Sequence, residues 1–436
     1  MRPPRSDLRR FALLSLVAML GVACAQVEGD DIGTPIFNGT TPDGIAVEPP
    51  ITTLPTPEVD AIRVPLDFFS IQEAVDVAQP GDLVLIEPGV YSEEVVVRSP
   101  DVVIRGRDRN TVFIDGLHAA TTGFTVTADG VAIENLTVRN YTTDAVAVMG
   151  TSERSVDGFR ALHITTSNTG RHGVLVSQAT NVEVREGWMS GAAGAGVAIE
   201  SCVDCATLIE TTLSEFSARG FSVVGATDGV QIIRSTSRNN RAGIVLSDGG
   251  GASTRGAAVA GTVIQNNGFS STPRAIESWD ASFGVGLHVS GTVTSDIRAN
   301  RVSGNTRAGI LVGAGIEPGT NDPIATTVIG NEATGHLEGD IVLAFANPVA
   351  DPQLCVADNA GAVLLPEGSV DAVTCVGDPV APPTFAWAVD GRSTIPYANG
   401  PVPPGIEGMA DADSAPAVPA GPVIPIDLST VLLAVA

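Results

Sequence analysis

From residue 144 onward the chain repeats a short pattern: a small residue, a glycine, then two apolar residues separated by one position. It occurs at 144–148 (DAVAV), 172–176 (HGVLV), 195–199 (AGVAI), 219–223 (RGFSV), 242–246 (AGIVL), 285–289 (VGLHV), 308–312 (AGILV) and 339–343 (GDIVL). The glycine column runs Ala145, Gly173, Gly196, Gly220, Gly243, Gly286, Gly309 and Asp340, with spacings of 28, 23, 24, 23, 43, 23 and 31 residues. A period near 23 dominates, and the longest spacing is one unit plus an insertion between 248 and 283, where Gly249, Gly250 and Gly251 stand. Period-2 geometry points both apolar residues of each unit inward and the residue between them outward. The inward pairs, such as Val174/Val176, Phe221/Val223 and Ile244/Leu246, are β-branched or Leu almost throughout. Further short apolar runs follow in each unit, at 131–138, 182–184 and 230–233, and polar turn residues Asn140, Asn168, Asn239 and Asn305 precede the next repeat. Three short strands per unit predict an all-β chain wound as a parallel β-helix. At about 4.8 Å per turn it makes a rod of roughly 50 Å. Gly, Val, Ile and Thr at this density disfavour a helical solenoid.

Composition supports this and narrows the chemistry. Aromatic residues make up 4% of the 436 residues against 48 glycines, which fits stacked small-residue turns better than large α/β layers. All 24 basic residues are Arg, so lysine bases, Schiff bases and a P-loop lysine are excluded. A net charge of -25 repels phosphate backbones, so no nucleic-acid partner is expected.

The first residues read as an export signal: Arg2, Arg5, Arg9 and Arg10, an apolar core from 11 to 22, then Ala23-Cys24-Ala25. Cleavage after Ala25 would release a secreted protein. The segment 20–24 (LGVAC) also resembles a bacterial lipobox, with Gly21 where Leu is usual, and would leave Cys24 lipidated and the chain anchored to a membrane. The acidic, Pro- and Thr-rich stretch that follows suits a tether and favours the anchor. The expected organisation is a signal at 1–24, a tether at 25–60, the β-helix at 61–345, a closing segment at 346–376 and a Pro-rich tail at 377–436. Cys202, Cys205, Cys355 and Cys375 form an even set in an oxidising compartment and are expected to make two local disulfides.

The opening of the rod, FSIQEAV at 69–75, PGDLVLIEPGVY at 80–91 and VVIRG at 102–106, resembles right-handed parallel β-helix proteins of the pectin lyase-like superfamily. The likeness spans roughly 62–345. There a helix caps the first turn, and here Ser70 suits its N-cap with Glu73 at N3, while Ile71, Ala74, Val75 and Ala78 form one apolar face. The resemblance implies that an enzyme of this kind, a pectate lyase, polygalacturonase or mannuronan epimerase, carries its acids and bases on the outward face of the repeat sheet. The outward column two residues after each glycine position is Ala147, Leu175, Ala198, Ser222, Val245, His288, Leu311 and Val342, which holds no carboxylate. No cofactor is expected, and calcium only if the chain is a lyase.

Three other groups are candidates for chemistry. Arg171, Arg241 and Arg307, with Arg219 one residue nearer the glycine column, line one edge of the stack and could grip an acidic polysaccharide, although solvated turns explain Arg more simply. His336, Glu338 and Asp340, spaced i, i+2, i+4, could hold a hard cation on one strand face, or merely solvate a turn. Asp280 and His288 are the catalytic candidates at the insertion. The expected function is an exported, membrane-anchored module that binds or scaffolds a cell-surface or extracellular glycan. The alternative is a carbohydrate-active enzyme of the same fold, a polysaccharide lyase or epimerase, and a third class is a structural surface protein built by rods stacking end to end. The apolar outward column should be covered, by the insertion or by the tail with Phe385, Trp387 and Tyr397.

Overall fold

Short β-branched runs stack in register over about 11 turns and form three long parallel sheets, with two further two-stranded ones, in a computed structural model, which describes residues 61–202, 205–268, 282–314, 321–345 and 353–364. The first sheet has 12 strands, from Ile62–Val64 to Cys355–Ala357; the second has 10, from Gly89–Tyr91 to Glu332–Thr334; the third has 11, from Val95–Val97 to Val363–Leu364. Each turn visits the three sheets in that order, so the architecture is the expected right-handed parallel β-helix.

The repeat builds the third sheet. Val146, Val174, Val197, Phe221, Ile244, Leu287, Ile310 and Ile341 pair in one unbroken column. All are buried in the single large core. The glycine column sits where the chain turns the corner from the second sheet into the third. A Cβ built on Gly196 or Gly220 would lie 2.1 or 2.0 Å from the hydroxyl of Ser214 or Ser237, and one on Gly243 would lie 2.1 Å from the carbonyl oxygen of Gly286. The residue is glycine because the next turn leaves no room for anything larger.

Corners are satisfied by stacked polar side chains. Asn240 donates its backbone N–H and side-chain amide to Asn267 Oδ1 (3.1 and 3.2 Å), and Asn267 does the same to Asn305 (3.0 and 2.8 Å). A second ladder joins Asn300, Asn331 and Asn359. The expected turn asparagines therefore divide into two kinds: Asn305 belongs to a ladder, whereas Asn140, Asn168 and Asn239 adopt the left-handed conformation at the bends.

The first turn is capped by the helix Ile71–Val77. Ser70 Oγ accepts from Glu73 N at 3.1 Å, and Ile71, Ala74, Val75 and Ala78 are buried. Glu93, two residues after Tyr91, accepts from Ile71 N and Gln72 N at 3.0 and 3.1 Å, so one carboxylate ties the helix start to the first turn of the rod.

The insertion does not break the stack, since Val245 pairs directly with His288. Stacking also continues past residue 345, because Cys355–Ala357 pairs with Thr327–Ile329 and Val363–Leu364 with the strand Gly339–Leu343. Cys202 and Cys205 are joined in a disulfide and both are buried. Cys355 is disulfide-bonded, and Cys375 lies outside the described residues, as do Cys24, the signal and tether, and the tail at 377–436. No helix among the described residues is long and apolar enough to cross a membrane.

Candidate functional site

Seven of the eight outward-column residues, Ala147, Leu175, Ala198, Ser222, Val245, His288 and Leu311, are buried, and Val342 is partly buried. Residues 269–281 of the insertion, Asp280 among them, and the whole tail, the two segments expected to cover this strip, lie outside the described residues.

Strict alternation would point the residue before each glycine inward, but the corner breaks the alternation at the glycine. Ala195 accordingly packs with Ala147, Leu175 and Ala198 on the outer face, apart from the core. Asp144 and His172 occupy this same position in their units, and Glu200, two residues beyond Ala198, adds a third outward column. The outer face of the third sheet therefore does carry carboxylates, which corrects the view taken from one column alone.

These residues meet. Asp144 Oδ1 accepts from His172 N at 3.1 Å, and Ala195 N donates to His172 Nδ1 at 2.9 Å. The proton of the neutral imidazole is therefore on Nε2, which lies 3.6 Å from Glu200 Oε1. Arg171 spans the two carboxylates, its guanidinium nitrogens 3.9 Å from Asp144 Oδ2 and 3.8 Å from Glu200 Oε2. On the next turn after Glu200, the Arg219 guanidinium is 3.5 Å from Ser222 Oγ of its own strand. The Arg171 side chain is 50% exposed and that of Glu200 38%, against 6% for Asp144. Each cation–carboxylate separation is longer than a hydrogen bond.

Burial sets the proton affinities. It pushes the Asp144 carboxyl up to about 6 despite the nearby Arg171 cation and the N–H of His172, with Glu200 adding to the rise. Burial also holds His172 down to about 3, helped by the positive charges of Arg171 and Arg219. Between pH 3.8, the ordinary Asp value, and about 6, the folded state keeps a proton on Asp144 that the unfolded chain releases, so this stabilisation is lost as pH rises through 6. Between about 3 and the ordinary 6.5, the unfolded chain protonates His172 and the folded state does not, so stability is lost as pH falls. The two nearly cancel in the shared window. Asp144→Asn should uncover the histidine contribution: urea unfolding of the variant should weaken by about 1.4 kcal/mol per pH unit of acidification below 6, relative to the unaltered protein. Parallel pH profiles would contradict this assignment.

The other candidates are placed as follows. Arg241 stacks over the Phe283 ring, 4.9 Å from its centroid, and Arg307 donates from Nε to Glu338 Oε1 at 2.9 Å. Backbone bonds through Gly284 place Arg241 and Arg307 two turns apart on one edge. The Arg candidates divide accordingly, Arg171 and Arg219 at the cluster and Arg241 and Arg307 farther along. His336 lies against the carbonyl oxygens of Asn305 and Val302, at 3.2 and 3.4 Å, and Asp340 Oδ2 accepts from Ala362 N at 2.9 Å, so His336, Glu338 and Asp340 serve three separate partners. Among the described residues no group of three His, Cys, Asp or Glu could hold a metal ion. His288 is fully buried, with Nδ1 2.8 Å from Ser282 Oγ and Nε2 3.1 Å from the Gly313 carbonyl oxygen.

No protein-family model matches the sequence. No curated protein matches it either. Solved structures similar to it include a pectate lyase, Pel9A, at 15% identity, covering 70% of this chain and 75% of that one with a TM-score of 0.44. The periplasmic alginate epimerase AlgG is 12% identical, covering 64% of this chain and 71% of its own, with a TM-score of 0.41. The A-module of the mannuronan C-5 epimerase AlgE4 from Azotobacter vinelandii is 16% identical, covering 70% and 95% with a TM-score of 0.41. The likeness is one of fold.

Proposed function

We propose that the protein is a polysaccharide-active enzyme of the lyase or epimerase type, acting on an acidic polysaccharide at the cluster of Asp144, Arg171, His172, Glu200 and Arg219. The observation that carries this reading is the juxtaposition, on the outer face of the repeat sheet, of a buried carboxyl titrating at about 6 with a half-exposed guanidinium. Both reactions begin by removing the proton α to a uronate carboxylate, which needs that carboxylate neutralised and a base near neutrality. Arg171 and Arg219 supply the positive charge. Asp144 takes the proton when ionised, and the His172 Nε2–H, held neutral by its surroundings, is a hydrogen-bond donor for a substrate oxygen. In an elimination the proton later goes to the departing glycosidic oxygen; in an epimerisation a proton returns to the same carbon from the opposite face.

The protein should be incubated with pectate, alginate and chondroitin-type polymers, with and without calcium. Elimination is read from the ultraviolet absorbance of the unsaturated product, and epimerisation from deuterium entering the α position in heavy water. The rate should rise with pH through about 6 as Asp144 ionises. Asp144→Asn and Arg171→Ala should each lower kcat/KM by about 100-fold or more. If no polymer reacts, and one is instead retarded in affinity electrophoresis, the binding-module reading takes its place.

A further inference from the structure

His288 is the one polar, titratable member of the repeat sheet's central outward column, and the enzyme reading above makes no use of it. Its ring is held at both ends. Nε2 faces the Gly313 carbonyl oxygen at 3.1 Å, a group that can only accept, so Nε2 carries the proton and Nδ1 is left as the acceptor. Ser282 Oγ lies 2.8 Å from that Nδ1, so the hydroxyl donates to it. A hydroxyl hydrogen-bonded to an imidazole, whose other nitrogen is fixed by a third group, is the arrangement that activates a serine nucleophile. Two further observations fit. The column neighbours Val245 and Leu311 are apolar and buried, so the pair sits in a dry environment in which its mutual bond is strong. The backbone N–H of Phe283, the residue after Ser282, donates to no acceptor among the described residues, and this is the amide that serine acyl-transfer sites aim at the developing oxyanion.

We infer that Ser282 and His288 form an acyl-transfer site for a small carboxylic ester such as the O-acetyl group of a sugar. Ser282 Oγ bonds to the ester carbonyl carbon while its proton passes to His288 Nδ1. Collapse of the tetrahedral adduct breaks the bond to the alcohol oxygen, which leaves with that proton. Water then attacks the acyl-serine, giving one proton to Nδ1, which returns it to Ser282 Oγ as the carboxylic acid departs. The balance is ester plus water to acid plus alcohol, with no cofactor. Arg241 and Arg307 both contact Phe283, the residue after Ser282, so an ester carried on an anionic chain would be favoured.

The test uses the full-length protein with an alkyl fluorophosphonate and, separately, para-nitrophenyl acetate. Both side chains are closed to solvent, so labelling should be slow yet go to completion while the far-ultraviolet circular dichroism stays native. The expected adduct is on Ser282, absent in Ser282→Ala, and His288→Gln should slow labelling and ester hydrolysis by about 100-fold. In the unaltered protein the labelling rate should fall on acidification as Nδ1 takes a proton, a readout that does not depend on any variant folding. The inference is overturned if no adduct forms on Ser282 under native conditions, if it forms only in step with loss of β signal, or if its rate is independent of pH and of His288.

Discussion

Ile244→Asp should abolish cooperative folding of the rod. Ile244 stands in the middle of the inward column of the third sheet, fully buried between Phe221 and Leu287. The substitution removes the burial of an Ile side chain, about 1.5–3 kcal/mol, and places a carboxylate among apolar side chains with no cation in its column, several kcal/mol more. Together these approach the whole stability of a typical domain, about 5–15 kcal/mol. Each turn of a solenoid is held chiefly by its two neighbours, so a failure here separates the turns on either side. Circular dichroism and urea titration would register it as loss of the β signal or of the single transition. A variant that unfolds within about 1 kcal/mol of the unaltered protein would mean that the inward assignment of this column is wrong. The outward neighbour Val245 is no safe control, because it is buried as well.

Gly243→Ala should be almost as damaging, although it adds only a methyl group. The new Cβ would stand 2.1 Å from the Gly286 carbonyl oxygen and 2.9 Å from both Asn267 Nδ2 and Ile264 Cγ2. The first of these is backbone of the next turn and cannot rotate away, and Asn267 is the middle member of the Asn240–Asn267–Asn305 ladder. Relief requires the two turns to part, which would stretch the ladder and the strand pairing together. A loss at or above the upper end of the usual 1–3 kcal/mol for overpacking is expected. Gly251→Ala is the control: its nearest neighbour would be the Asp248 carbonyl oxygen at 3.6 Å, an ordinary contact, and stability should change by less than about 0.5 kcal/mol. Equal losses for the two glycines would show that conformational freedom, rather than close approach, explains the column.

The helix cap illustrates how far local signals reach. Ser70 and Glu73 could be placed from their spacing alone because an N-cap is a bond between residues three apart. Glu93, which takes the amides of Ile71 and Gln72, is 22 and 21 residues from them, and no short-range rule pairs such positions. The same holds for the asparagine ladders, whose successive members are 27 to 38 residues apart. A residue that looks like a turn-former in sequence, such as Asn305, proves to be a structural rung once turns are stacked.

What the chain's own pattern determined is the β-helix and its inward faces, because period-2 alternation and a repeat near 23 residues are properties of consecutive residues. The cluster of Asp144, His172 and Glu200 was decided only in three dimensions. At the corner the small column residue, Ala145 ahead of Val146 and Gly173 ahead of Val174, packs close to the next turn, the alternation slips by one, and the residue ahead of it turns outward instead of inward. Stacking then brings positions 28 residues apart into hydrogen-bond contact and buries Asp144 and His172 far enough to move their proton affinities in opposite directions. Burial and cross-turn proximity depend on which turn lies above which, and on what covers the outer face, neither of which is encoded in any short stretch of residues.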